Sequence, residues 1–133
     1  MTRPIAVLVV DDNRDLASML QIVIAGEPDM VCVGSLASAD TLLETIAKTS
    51  PDVVLLDLTM PGRQPLDVVA EASKVAPACR IIVLSGYDDR ATMDRAAESG
   101  AWGFVSKHGD MPSILEAIRS IAIAAKRPDL PGR

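Results

Sequence analysis

Four short apolar runs in this chain each stop at a residue able to do chemistry, and nothing else in it constrains the fold as strongly. Ile5 to Val10 runs into Asp11 and Asp12, Val53 to Leu56 into Asp57, Ile81 to Leu84 into Ser85, and Trp102 to Ser106 into Lys107. β-Branched runs this short, bounded by turn residues, are the pattern of strands buried on both faces of a parallel sheet. Open parallel sheets bind ligands in the crevice outside the carboxyl ends of their strands, which is where all five polar residues fall. Three acids, a hydroxyl and an amine at one sheet edge are not explained by core packing.

Helical patterns separate the strands. Leu16, Met19, Leu20, Val23 and Ile24 recur at helical spacing, with Gly26 where a C-terminal cap belongs. Met30 to Gly34 reads as a second strand. Ser38 is placed to cap a second helix with Leu42, Leu43 and Ile46 inward, stopped by Pro51. A turn at Pro61-Gly62 leads to a third helix carrying Leu66, Val69, Ala72 and Val75, which ends before Pro77. Asp88-Asp89 can cap a fourth, Ala-rich helix ending at Gly100; Met93 is its main large apolar residue, so loose packing is expected. Asp110 caps a fifth, with Ile114, Leu115, Ile118, Ile121 and Ala122 inward. Five alternations of strand and helix predict a doubly wound α/β sheet with right-handed crossovers. Residues 1–125 read as one domain, and 126–133, with two prolines and no periodicity, as a linker or free tail.

Composition narrows the function classes. A formal charge of -5 with no stripe of Lys and Arg argues against nucleic-acid contact within this segment. No apolar stretch approaches the roughly 20 residues that cross a bilayer. Asp11-Asp12 would interrupt any signal sequence, so the expectation is a cytoplasmic chain with no membrane contact. Cys32 and Cys79 read as two reduced thiols used as small hydrophobes.

If the first and third strands are neighbours, Asp11, Asp12 and Asp57 converge. Three such carboxylates cannot all ionise comfortably unless their pKa values rise or a cation neutralises them. Hard oxygen donors with no His or Cys nearby suit Mg²⁺ rather than zinc. A phosphoryl group is the natural substrate: Asp57 attacks phosphorus, Lys107 and the metal carry the negative charge, and Ser85 donates a hydrogen bond to a phosphoryl oxygen. Taken singly, Asp11-Asp12 would be a helix cap, Ser85 a turn residue and Lys107 a solvated strand end. Their joint placement at four strand ends favours a site.

With these motifs the chain closely resembles the receiver domain of bacterial two-component response regulators, over residues 5 to 125. The carrying segments are Asp11-Asp12, Asp57-Leu58-Thr59-Met60-Pro61-Gly62, Leu84-Ser85-Gly86 and Gly103-Phe104-Val105-Ser106-Lys107. The resemblance implies a flavodoxin-like five-stranded parallel sheet in order 2-1-3-4-5 with five helices. It implies that Asp57 accepts phosphate from a histidine kinase, and that Asp12, Asp57 and the Thr59 carbonyl hold Mg²⁺, with Asp11 acting through water. Ser85 matches the family's switch hydroxyl, Phe104 its switch aromatic and Lys107 its phosphate-binding lysine. Phosphate at Asp57 would draw Ser85 inward, and Phe104, lacking a hydroxyl, would report this only through packing. Self-association through helix one with five, or four with five, is the expected consequence.

Two positions depart from the family pattern. Gln64-Pro65 stands where Asp-Gly is common; proline suits a helix N-terminus, so altered loop geometry is expected. His108 stands where a cis proline usually follows the lysine. A cis peptide before a non-proline residue costs roughly 3 kcal/mol, so this bond is expected to be trans and His108 a solvated loop residue.

Other readings fit less well. A haloacid-dehalogenase-like phosphatase would need a second acid two residues after the nucleophile, and position 59 is Thr. A flavodoxin-like flavin or nucleotide binder would not place Asp11-Asp12 where a phosphate must sit, and one Trp, one Tyr and one Phe offer few stacking partners. A receiver acting without phosphorylation is disfavoured because every reacting residue is present. The stretch from Gly100 to Lys107, the helix from Ile114 to Arg119 and the Pro-rich tail look like receivers of LuxR-type transcription factors. The expected output is transcription regulation through a further DNA-binding domain; the alternative is a stand-alone regulator that docks on other proteins.

Overall fold

A computed structural model of the protein describes residues 3–86 and 90–128. Strands β1 (Ile5–Val10), β2 (Met30–Leu36), β3 (Val53–Asp57), β4 (Arg80–Ser85) and β5 (Gly103–Ser106) form one parallel sheet in the order β2-β1-β3-β4-β5. They alternate with α1 (Arg14–Ala25), α2 (Leu42–Thr49), α3 (Pro65–Val75), α4 (Arg90–Ser99) and α5 (Met111–Ile123).

The apolar runs behave as doubly buried strands because side chains alternate between two helical layers. Val7, Val9, Val53, Leu55, Ile82 and Leu84 pack with α1 and α5. Their neighbours Leu8, Val10, Val54, Leu56, Ile81 and Val83 pack with α2, α3 and Ala96 of α4. Every residue of β3 is buried, as a central strand requires. Parallel registers of Val10 with Leu56 and of Ser85 with Ser106 bring the carboxyl ends of four strands together.

Helix ends show where local reading falls short. The N-cap of α1 is Asn13, whose side chain accepts the Leu16 N–H, rather than either preceding aspartate. Gly26 does cap α1 but with φ -79, so its freedom to be left-handed is not used. Ser38 does not cap α2. The helix begins later, after Thr41, and the Ser38 hydroxyl instead accepts the Asp40 N–H at 3.3 Å. β2 runs two residues past its expected end and carries a bulge, with Val7 opposite Cys32 but Leu8 opposite Gly34.

Within α3, Val68 is buried and Val75 is 72% exposed, reversing the expected inward face at its last turn. α4 fully buries only the short side chains Thr92 and Ala96, and Met93 only in part. It ends at Gly100, whose φ of +111 needs glycine; a Cβ there would also lie 2.1 Å from Ser73 Oγ. Asp88-Asp89 and the last five tail residues lie outside the described residues. No described helix is long and apolar enough to cross a membrane.

The amino end of the sheet is tied by cations. The Arg80 guanidinium donates to the Ile121, Ala122 and Ala124 carbonyls at 2.6, 3.3 and 2.7 Å, closing the C-terminus of α5, and lies 4.2 Å from the Trp102 ring centre. Arg119 of α5 reaches both Glu27 and Asp29, and Arg3 pairs with Asp52.

Candidate functional site

At the carboxyl end of the sheet, β1 delivers Asp11 and Asp12, β3 delivers Asp57, β4 delivers Ser85 and β5 is followed by Lys107. Because β1 and β3 are adjacent and in register, carboxylate oxygens of Asp11, Asp12 and Asp57 lie within 4.8 Å of one another. Asp11 and Asp57 are buried while Asp12 faces solvent. The Lys107 ammonium stands 3.1 Å from Asp57 Oδ2 and 3.5 Å from Asp11 Oδ2. The peptide bond between Lys107 and His108 is trans, and the lysine still reaches both acids.

Each acid is held on one oxygen. Asp11 Oδ1 accepts the Asn13 N–H at 2.9 Å. Asp57 Oδ1 accepts both the N–H and the hydroxyl of Thr59, each at 3.1 Å. The two Oδ2 atoms are buried, and both face the Lys107 ammonium. Burial raises the Asp11 carboxyl above its ordinary range, partly offset by the Asn13 bond and reinforced by the charge of Asp57. Burial works against the Lys107 charge, yet its hydrogen bond and attraction to Asp57, then Asp11, hold its pKa above the ordinary value.

Two buried carboxylate oxygens beside a third, exposed acid fit a hard divalent cation such as Mg²⁺. The donor set contains no sulfur or imidazole. Thr59 is exposed, and with Lys107, Asn13, Leu16, Gly86 and His108 it lines an open depression of about 640 Å³. His108 is exposed at the rim, with its N–H donated to Ser106 Oγ.

Ser85 is buried at the end of β4, and Phe104 of β5 packs partly buried on the α2–α4 side of the sheet. Strand alternation puts Ser85, like Ile81 and Val83, on that same side. A second groove, about 420 Å³, opens beside Ser85 and Thr59 between α3 and α4. Asn13 and the Thr59 hydroxyl are the site contacts that sequence reasoning missed. An Asn three residues before Leu16 was a readable cap signal, whereas the Thr59 bond depends on a loop conformation.

Comparison with known proteins agrees with this geometry. The family description "Response regulator receiver domain" matches residues 7–119. A transcriptional regulatory protein, YvfU of Bacillus subtilis (strain 168), is 30% identical over 115 residues, covering 86% of this chain and 58% of that protein. The signal receiver domain of the response regulator NarL from Mycobacterium tuberculosis superposes with a TM-score of 0.86 at 27% identity, covering 91% of this chain and 98% of that one. A LuxR-family two-component response regulator from Aurantimonas sp. SI85-9A1 gives 0.85 at 27% identity, covering 95% and 91%. The chain spans between half and three-fifths of the length of the curated relatives it matches.

Proposed function

Because this chain belongs to the response regulator receiver domain family, we propose that it is a phosphoacceptor switch in which Asp57 takes a phosphoryl group from a histidine kinase. The observation that carries this reading is the buried Asp57 carboxylate at the end of β3, with one oxygen fixed by Thr59 and the other 3.1 Å from Lys107. A carboxylate oxygen of Asp57 forms the new P–O bond as the P–N bond of the donor phosphohistidine breaks, and the imidazole leaves. Lys107 then pairs with a phosphoryl oxygen in place of the Asp57 charge it holds beforehand. Ser85 donates to a second oxygen, and Phe104, on the same side of the sheet, repacks as Ser85 is drawn in.

Mg²⁺ would be held by Asp11, Asp12, Asp57 and the Thr59 carbonyl, and when bound it neutralises charge on the phosphoryl oxygens. The output is transcription control through a DNA-binding domain, by analogy with transcriptional regulatory relatives of which this match covers 58% and 50%. Exposed Met19 and Ile22 on α1 support an apolar contact there in a phosphorylated dimer. Acetyl phosphate with Mg²⁺ is expected to add one phosphoryl group by intact-mass measurement, and Asp57→Asn to abolish it. Labelling that persists at another residue would overturn the assignment. The size of the native gene product, read by immunoblot, separates a longer regulator from a stand-alone one.

A further inference from the structure

The loop from Leu58 to Gln64 joins β3 to α3 and contains Thr59, the residue that holds Asp57. At its start the Leu58 N–H is donated to the Leu84 carbonyl at 3.1 Å, and at its end Pro65 is buried. The α3 N-cap, Gln64, makes no side-chain cap bond. Between these points the loop is fastened from an unexpected direction. Asp40, 23 residues earlier in the connection between β2 and α2, accepts the Arg63 N–H on Oδ1 at 2.9 Å. Its carboxylate lies directly on Gly62: a Cβ at that residue would come 2.7 Å from Oδ1 and 3.1 Å from Oδ2. Gly62 is also at φ +93, so the turn and the close approach both require glycine. The Asp40 backbone N–H is donated to the Ser38 hydroxyl, while the Arg63 guanidinium is engaged by Glu71.

We propose that Asp40 is a positioning residue for the phosphorylation site, fixing through Arg63 and Gly62 the loop that sets Thr59 against Asp57. The proposal rests on the phosphoacceptor reading only in giving Thr59 its purpose; the contact chain from Ser38 through Asp40 to the loop stands without it. Asp40 is exposed and contributes nothing to the core, so its carboxylate has no packing role that would account for this placement.

The test is amide hydrogen exchange by NMR on the metal-free protein, with Mg²⁺ affinity by calorimetry as a second readout. The Thr59 N–H reports directly on its bond to Asp57. Asp40→Ala is expected to speed exchange at Arg63 about 10-fold, as loss of one charge-assisted hydrogen bond implies, and at Thr59 about 3-fold. Mg²⁺ binding should weaken about 10-fold, the usual scale for removing an outer support of a ligand. Asp40→Asn, which keeps an acceptor oxygen, should restore both. Asp40→Glu, which keeps the charge but moves the carboxylate by one methylene from its place over Gly62, should reproduce part of the Thr59 effect and keeps the question open to test if Asp40→Ala folds poorly. Faster exchange confined to Arg63, with Thr59 and Mg²⁺ affinity unmoved, would overturn the proposal. A wild-type protein that takes no phosphoryl group would refute the phosphoacceptor reading instead, while the Thr59 exchange would still decide the role of Asp40.

Discussion

The two ends of the sheet handle charge in opposite ways. At the amino end each cation has its own partly or fully exposed anion, or a carbonyl: Arg3 with Asp52, Arg119 with Glu27 and Asp29, Arg80 with the last carbonyls of α5. At the carboxyl end three acids gather, two of them buried, and one ammonium reaches the buried two. Exposed pairs cost little and add little. A buried excess of one sign is expensive, and a fold keeps it only where the local conflict serves chemistry. The contrast therefore separates the end that holds the domain together from the end where the proposed site lies.

The largest expected effect tests the costly end. Lys107→Ala leaves the Asp11 and Asp57 carboxylates buried without their cation, and thermal unfolding in metal-free buffer should show a loss of about 3 kcal/mol. Added Mg²⁺ should recover part of it. Arg80→Ala comes next at about 2 kcal/mol, for the lost α5 carbonyl bonds and the Trp102 contact, with a shift in Trp102 fluorescence. If Arg80→Ala proves the more damaging of the two, the comparison between the ends is wrong.

Smaller effects sharpen it. Burial, aided by the nearby Asp52 charge, pushes the Cys79 thiol up to about 12, whereas Cys32 lies partly exposed on an edge strand. Alkylation of the native protein at about pH 8 should add one adduct, at Cys32, and a second only after unfolding; mass spectrometry reads both. The Arg119 tie should be the weakest. Its hydrogen bond and charge hold the Asp29 carboxyl below its ordinary 3.8. A depressed folded pKa means that the stabilisation is complete above that ordinary value and fades as pH falls through the lower, folded one. Arg119→Ala should therefore lower the melting temperature slightly at neutral pH, with the difference vanishing in acid.

Sequence reading succeeded where the cause is local or periodic. The apolar runs mark β1, β3, β4 and β5 because burial on both faces leaves no polar alternation to confuse them. Asp11, Asp12, Asp57, Ser85 and Lys107 were legible as a set because each ends such a run. The strand order came from resemblance, since alternation alone does not order a sheet. Ser38 was misjudged because a hydroxyl before an apolar helix serves a turn as readily as a cap. Val75 was misjudged because the buried face of α3, formed by Val68, Val69 and Ala72, stops one turn before the helix does, and helical spacing does not mark that stop. The Asp40 tie and the Arg80 closure join residues 23 and more than 40 positions apart, so no local pattern carried them. Their residue types, an acid in a loop and an arginine beginning a strand, are ordinary in isolation.

The bulge in β2 has a consequence for how this molecule meets others. A five-stranded open sheet has two rims of unpaired backbone, each a template on which a foreign strand could grow. Here one rim is β2, broken by the extra residue between the partners of Val7 and Leu8, and the other is β5, only four residues long. Both rims are poor templates, one irregular and one short. Growth by strand addition is discouraged at either side, and encounters between copies are left to the helices, whose surfaces can form and release contacts without templating a fibre.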